Sequence, residues 1–278
     1  MFQTSSTRHA RFPGYALALM AALLLAAAGG VHAGSRMNSP GWEVVGERDG
    51  VKTFVRHGTL SKLKTFKGIT RIKIRDEYMI ASVLNDYDSY PKWLYMFDPA
   101  QEIRRDDPLH RYMYLTVDLP WPVRNRDMGV EVIVRQAITP TNETMLIDIR
   151  SKDDLVPPKK GYVRVKEISG QLLFKRVGND EFEVTFEAYF DPAGRLPLWL
   201  VNVLANDIPH YTLSQLRRSL QGIDYKPEYI DYLELRGPTR KAGLPPARSY
   251  IYKNPPAEPI AELALPQVNQ GAPAAAAP

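Results

Sequence analysis

His57, His110 and His210 are the only imidazoles after residue 33, and none lies at a metal-ligand spacing such as His-x-x-x-His. The chain has no cysteine, which removes thiol nucleophiles, disulfides and thiolate metal sites. It also lacks a Gly-x-Ser-x-Gly elbow, a P-loop and a Gly-x-Gly-x-x-Gly fingerprint. No metal or cofactor is therefore expected. Asp106 and Asp107 precede a proline in a charged stretch and read as a solvated turn rather than an acid pair. His210, between Pro209 and Tyr211, would serve as a general base if a pocket faced it, and otherwise is a helix-surface histidine. Trp93, Tyr95 and Phe97 look more like core than a binding box. The polar residues least easily dismissed are in "PWPVRNRD", Pro120 to Asp127, where two arginines stand at the entrance to an apolar run.

The elements that must position these residues are mostly strands. "YMYLTVDL" places Met113, Leu115, Val117 and Leu119 on one side, and "MGVEVIVRQ" places Met128, Val130, Val132 and Val134 on one side. "FKGITRIKIR", "ETMLIDIR", "YVRVKEI", "GQLLFKRV" and "EFEVTFEAYF" repeat the pattern, the last with Phe182, Val184 and Phe186 on one face. One dry and one wet face per strand predicts a large antiparallel sheet. Ahead of it, the residues from Trp42 read as a short helix-like turn, and Asp49-Gly50 as a turn signal. Asp76 is placed to cap a helix through Met79, Ile80, Val83 and Leu84. A long helix is predicted from Pro197, with Pro209 inside it, Arg217 and Arg218 in its last turn and Gly222 as its stop. Such a helix is the one element long enough to cover the sheet, which gives an α+β domain.

Period two also sorts the charges of the opening motif. Arg126 shares the dry side with Met128 and Val130, whereas Asp127 faces the other way with Glu131, so the two neighbours should not pair. A buried guanidinium needs a partner. Either Arg126 is tied to an acid or to helix-end carbonyls and holds the strand entry, or it receives a polar group of a ligand. A bulge at Asn125 would reverse this parity.

The ends differ from the body. Arg8 and Arg11 precede "YALALMAALLLAAA" and the small-x-small site Val31-x-Ala33, the pattern of a cleaved signal peptide over residues 1–33. The apolar run is short for a span of about 20 residues, although an uncleaved anchor is the alternative. Export, to a periplasm, is the expected destination. Removing the signal takes two cations and no acid from a formal charge of +5 and leaves +3. That balance permits contact with anionic lipid and does not argue for nucleic acid. Residues 236–278 are rich in proline and alanine and are expected to be largely disordered. The domain between runs over residues 40–235.

Five segments then carry a resemblance. "DGVKTFVR", "DYDSYPKW", "PWPVRNRD", "LVPPKKGYVRV" and "DPAGRLPLWLVN" resemble, in order, the START domain of lipid-transfer proteins. The most specific are Pro-x-x-x-Arg-Asp from Pro122 to Asp127 and Gly-x-x-Pro-x-Trp from Gly194 to Trp199. The resemblance implies a helix-grip fold, in which a curved antiparallel sheet wraps around the long C-terminal helix and a tunnel between them holds one hydrophobic ligand. The expected lining comprises Met113, Leu115 and Val117, then Val130, Val132, Val184 and Phe186, and from the helix Leu200, Val203, Leu204 and Ile208. Arg126 is the candidate polar point. Leu155, Val156, Pro157 and Pro158 form the expected gate, an exposed apolar tip beside Lys159 and Lys160 that touches a membrane transiently; the alternative is an ordinary hairpin loop. The implied function is non-catalytic binding and transfer of a lipid or other hydrophobic small molecule. The alternatives are a cyclase- or hydrolase-like enzyme using the same tunnel, or a lipid-sensing module that binds a partner.

Overall fold

Asp49 and Gly50 both adopt a left-handed backbone (φ 51° and 70°), the conformation that a two-residue hairpin turn requires. The turn folds Trp42–Arg48 (β2) back on Val51–His57 (β3) in antiparallel pairing. The helix-like turn predicted from Trp42 is therefore a strand. A register shift between Val44 and Gly46 accounts for the difference, because a bulge resets the alternation that identifies a strand.

The structure is a computed structural model that describes residues 37–39, 41–57, 64–139, 141–191, 193–194, 196–222 and 225–235. These belong to one unit that begins at Met37. The predicted signal peptide and the tail from residue 236 lie outside the described residues. The other strands are Met37–Ser39 (β1), Lys64–Lys73 (β4), Gln101–Asp107 (β5), His110–Val117 (β6), Arg126–Ile138 (β7), Glu143–Ser151 (β8), Val163–Arg164 (β9), Glu167–Arg176 (β10) and Glu181–Asp191 (β11). They form one sheet in the order β1-β2-β3-β4-β11-β10-β8-β7-β6-β5, antiparallel throughout this path, with β9 parallel to β7 beside it. The strand expected at "YVRVKEI" is reduced to β9, after which the chain enters β10 at Glu167.

Between β4 and β5 the chain forms Tyr78–Asn85 (α1), a single 3-10 turn at Tyr87–Ser89 and Tyr90–Trp93 (α2). The Asp76 carboxylate accepts the Tyr78 amide (3.0 Å) at the start of α1. Arg176 fixes that start to the sheet, donating to Glu77 (2.5 Å) and Glu143 (2.7 Å). The predicted solvated turn at Asp106-Asp107 is only half right. Asp107 is buried at the end of β5, where its carboxylate accepts the Leu109 amide (2.8 Å).

Leu198–Gln221 (α3) begins just after Pro197 and is closed by Gly222, whose amide donates to the Arg218 carbonyl (2.7 Å). Leu213, Leu216 and Leu220 recur at helical spacing and are buried, laying the helix against β3, β4 and β11 and against α1 and α2. The approach is closest at Gly68 of β4. A Cβ there would lie 2.8 Å from Leu213 Cδ1 and 3.0 Å from Pro209 Cβ, so the helix could not come this near over any larger residue. The sheet thus grips the helix around a shared apolar interior.

Candidate functional site

The inward faces of the strands do not close completely on α3. An apolar cavity remains between them. Its floor is Leu115, Val117 and Leu119 from β6 and the residues just after it, with Phe186, Ala188 and Phe190 from β11. Ile149, Ile168 and Phe66 add to the walls. Ile208 and Thr212 of α3 face it from above, and Leu94, Tyr95 and Phe97, which follow α2, close one side. The Tyr95 ring packs on Tyr211 of α3 with centroids 4.9 Å apart. Among the described residues, no charged side chain lines this space.

Of the residues predicted from sequence, Leu115, Val117, Phe186 and Ile208 meet at this cavity. Met113 and Val132 line a second space further along the same strands. Val130, Val184 and Leu200 are buried in the core without lining either one. Val203 is half-buried on α3 and lines neither cavity, and the Leu204 side chain lies outside the described residues. Trp93 is core, as expected, but Tyr95 and Phe97 are cavity wall. Ile149 and Phe190 share the dry parity of their strands and are legible from it. Leu94 to Phe97 carry no such signal.

The opening motif splits as its parity predicts. Arg126 is 3% exposed on the inward side of β7, where it donates to the carbonyl of Arg124 and to that of Ala193 (3.2 Å). These carbonyls belong to loops, not to a helix end. Burial, and then the nearby Arg124, lower the pKa of its guanidinium. Asp127 is 1% exposed on the outward side. It accepts from Arg164 Nη2 (2.8 Å) and Nε (3.2 Å), the Lys159 amide (3.0 Å) and the Tyr114 hydroxyl (3.1 Å). Burial alone would raise the Asp127 carboxyl, but the Arg164 and Lys159 hydrogen bonds outweigh it and hold the group below the usual carboxylate range. Burial, followed by the Asp127 charge, pushes the Tyr114 phenol up to about 12.

The same centre organises the loop expected to be the gate. Arg164 also donates to the carbonyls of Asp153 (3.3 Å), Val156 (3.0 Å) and Pro157 (3.1 Å). Leu155 sits against Gly129, where a Cβ would lie 3.0 Å from that of Leu155 and 2.5 Å from the Lys152 carbonyl. The expectation of an exposed apolar tip is corrected here. Leu155 and Val156 are half-buried on the outward face of β7, only Pro157 and Pro158 are exposed, and none of the four lines the cavity.

His210 does not face the cavity either. Its Nδ1 lies 2.6 Å from Arg48 Nη2, and its Nε2 lies 3.1 Å from Asp49 Oδ2 and 3.4 Å from Ser214 Oγ. A serine–histidine–aspartate relay needs the hydroxyl and the carboxylate on opposite ring nitrogens. Here both are at Nε2, and the cluster ties α3 to the β2–β3 turn.

An antiparallel sheet closed on one long C-terminal helix, with an apolar space between them, defines a helix-grip protein. Residues 36–221 match the family model of the START domain. The chain belongs to this family of lipid-binding and lipid-transfer proteins. An uncharacterized protein of Pseudomonas aeruginosa is 28% identical over 180 residues, 65% of this chain and 87% of that one. The bovine phosphatidylcholine transfer protein is 25% identical over 185 residues, 63% of this chain and 82% of its own. The crystal structure of a STAR-related lipid transfer protein from Xanthomonas axonopodis has a TM-score of 0.58 at 27% identity, covering 66% of this chain and 99% of that one.

Proposed function

We propose that the protein is an exported, non-catalytic carrier that holds one lipid in the cavity beneath α3 and exchanges it with membranes. The observation that carries this reading is the cavity lining, whose described residues are apolar apart from Tyr95 and Thr212 and include no charged group. Hydrocarbon is what such a space favours. About a dozen methylenes moved out of water, at about 0.8 kcal/mol each, supply on the order of 10 kcal/mol, with few polar contacts needed to orient the molecule.

The membrane contact is better placed on the opening motif than on Leu155 and Val156. Leu119 lines the cavity at the base of that loop, and Asn125 closes the loop by accepting the Leu119 amide (3.1 Å) and donating to Asp118 (2.8 Å). Trp121, two residues beyond Leu119, is 92% exposed. Arg124 joins the loop to its neighbour through the carbonyls of Gly161 (3.3 Å) and Tyr162 (2.9 Å), which sets Trp121 on the same joined pair of loops as the exposed Lys159 and Lys160. An indole beside ammonium groups suits the boundary of an anionic bilayer.

Transfer of pyrene-labelled lipids between vesicles tests the reading. The wild type is expected to accelerate transfer. Trp121→Ala should slow it several-fold on anionic vesicles while melting shifts by no more than about 0.5 kcal/mol, as for an ordinary surface change. A variant with the wild-type rate would remove Trp121 from the contact, and a wild type with no transfer of any lipid would end the carrier reading. Export is checked separately by intact mass, since the processed chain should begin at Gly34.

A further inference from the structure

The second cavity lies beside the first, further along the same strands. Met113 on β6 and Ile147 on β8 line it, each one inward position from Leu115 and Ile149 of the first cavity, a step of about 7 Å along a strand. Its chemistry differs. Arg111 lines it, 5% exposed, on the inward face of β6.

A guanidinium carries five N–H donors. Arg111 Nη1 donates to Asn85 Oδ1 (2.8 Å) and the Tyr87 hydroxyl (2.6 Å), and Nη2 donates to the Pro108 carbonyl (2.9 Å). The buried Nε has no acceptor among the described residues, and Nη2 keeps a second N–H. Nε with one Nη is the fork that takes two oxygens of a carboxylate or phosphate. The hydrogen-bonded path from Arg111 to a carboxylate runs through Tyr87, whose hydroxyl donates to Glu102 (2.6 Å). Glu102 is itself held by two bonds from Arg105 (2.7 and 2.9 Å). Two cations thus share one anion, and the excess positive charge is at the cavity.

The wall opposite Arg111 comes from beyond residue 221, where the family match ends. Residues 225–235 run back over α1 and β7 as a strap. Tyr225 donates to Asp86 (3.0 Å), Ser82 to the Lys226 carbonyl (3.1 Å), Asn85 to the Tyr232 hydroxyl (3.1 Å) and Gln136 to the Tyr232 carbonyl (2.8 Å). Ile230, Tyr232 and Leu233 of the strap line the cavity, and Leu233 is buried. Such a cover keeps water from the guanidinium, and excluding water strengthens its pull on an anion.

We infer that this strap-covered cavity is an oxyanion subsite, so that the ligand is an amphiphile with its carboxylate or phosphate head on Arg111 and its hydrocarbon in the first cavity. The inference rests on the carrier reading. The test is competition on the full-length protein against pyrene, an uncharged occupant of the apolar space, by palmitate, hexadecyl phosphate and hexadecanol. At least one of the two acids should compete at least tenfold better than the alcohol, and which one does so tells carboxylate from phosphate. Arg111→Gln should lower that preference below about threefold and leave hexadecanol unchanged; if the variant does not fold, the wild-type comparison decides alone. Equal competition by all three, or a preference retained in a folded Arg111→Gln, overturns the subsite and leaves the carrier reading standing. If pyrene does not bind, or nothing displaces it, the carrier reading and the subsite fall together.

Discussion

Replacing Asp127 with alanine is expected to cost about 3–5 kcal/mol, the usual loss when one partner of a buried ion pair is removed. In a domain of this size that corresponds to a fall in melting temperature of roughly 6–20 °C. The reason is the number of groups that depend on one carboxylate. It holds Arg164, the Lys159 amide and the Tyr114 hydroxyl, and Arg164 in turn gathers three carbonyls of the loop before β9. The folded protein holds the carboxyl below its ordinary pKa. Its contribution is therefore fully present above the unfolded value, about 4, and is lost as pH falls through the lower folded value. Melting followed from pH 7 down to pH 2 should show a smaller loss below pH 4 in Asp127→Ala than in the wild type. A variant that melts within about 1 kcal/mol of the wild type at neutral pH would show that the loop is held by something else.

The second large effect is expected at Gly170, which lines the cavity from β10. A Cβ there would meet nothing nearer than 3.8 Å, at the Glu187 carbonyl and Ile149 Cβ. Gly170→Phe should thus be accepted by the strand, where an aromatic residue is favoured over glycine, and should direct its ring into the space a lipid would occupy. Ligand occupancy is expected to fall at least tenfold, with melting unchanged or raised. Lipid extracted from equal amounts of folded wild type and variant gives the comparison. Equal lipid content would mean that the ligand binds elsewhere.

Strand parity makes much of the site legible in the amino-acid sequence. Leu115, Val117 and Phe186 meet at the cavity because period-two alternation assigns each of them one face, and the sheet folds that face around α3. The same parity separates Arg126 from Asp127. It cannot name their partners. Arg164 is 37 residues from Asp127 and is brought to it by the two-residue strand β9, too short to show any period. Parity fails at Val44–Gly46, where the bulge interrupts it. It has nothing to act on in Leu94–Phe97 or in the strap at 225–235, since their place depends on what they pack against. Arg111 escapes the pattern for another reason. Its inward position continues that of Met113, but an arginine at the end of a dry face reads as the edge of the core, whereas in the fold it is buried against a cavity.

If the space beneath α3 holds a lipid, native mass spectrometry of the protein purified without detergent from the cells that make it should detect it. One added mass per chain is expected, released on gentle activation and recovered in an organic extract as an amphiphile. It should be present in the wild type and depleted at least tenfold in Gly170→Phe. A wild-type chain that flies only at its bare mass, and yields no lipid on extraction, would mean that the space beneath α3 holds no lipid.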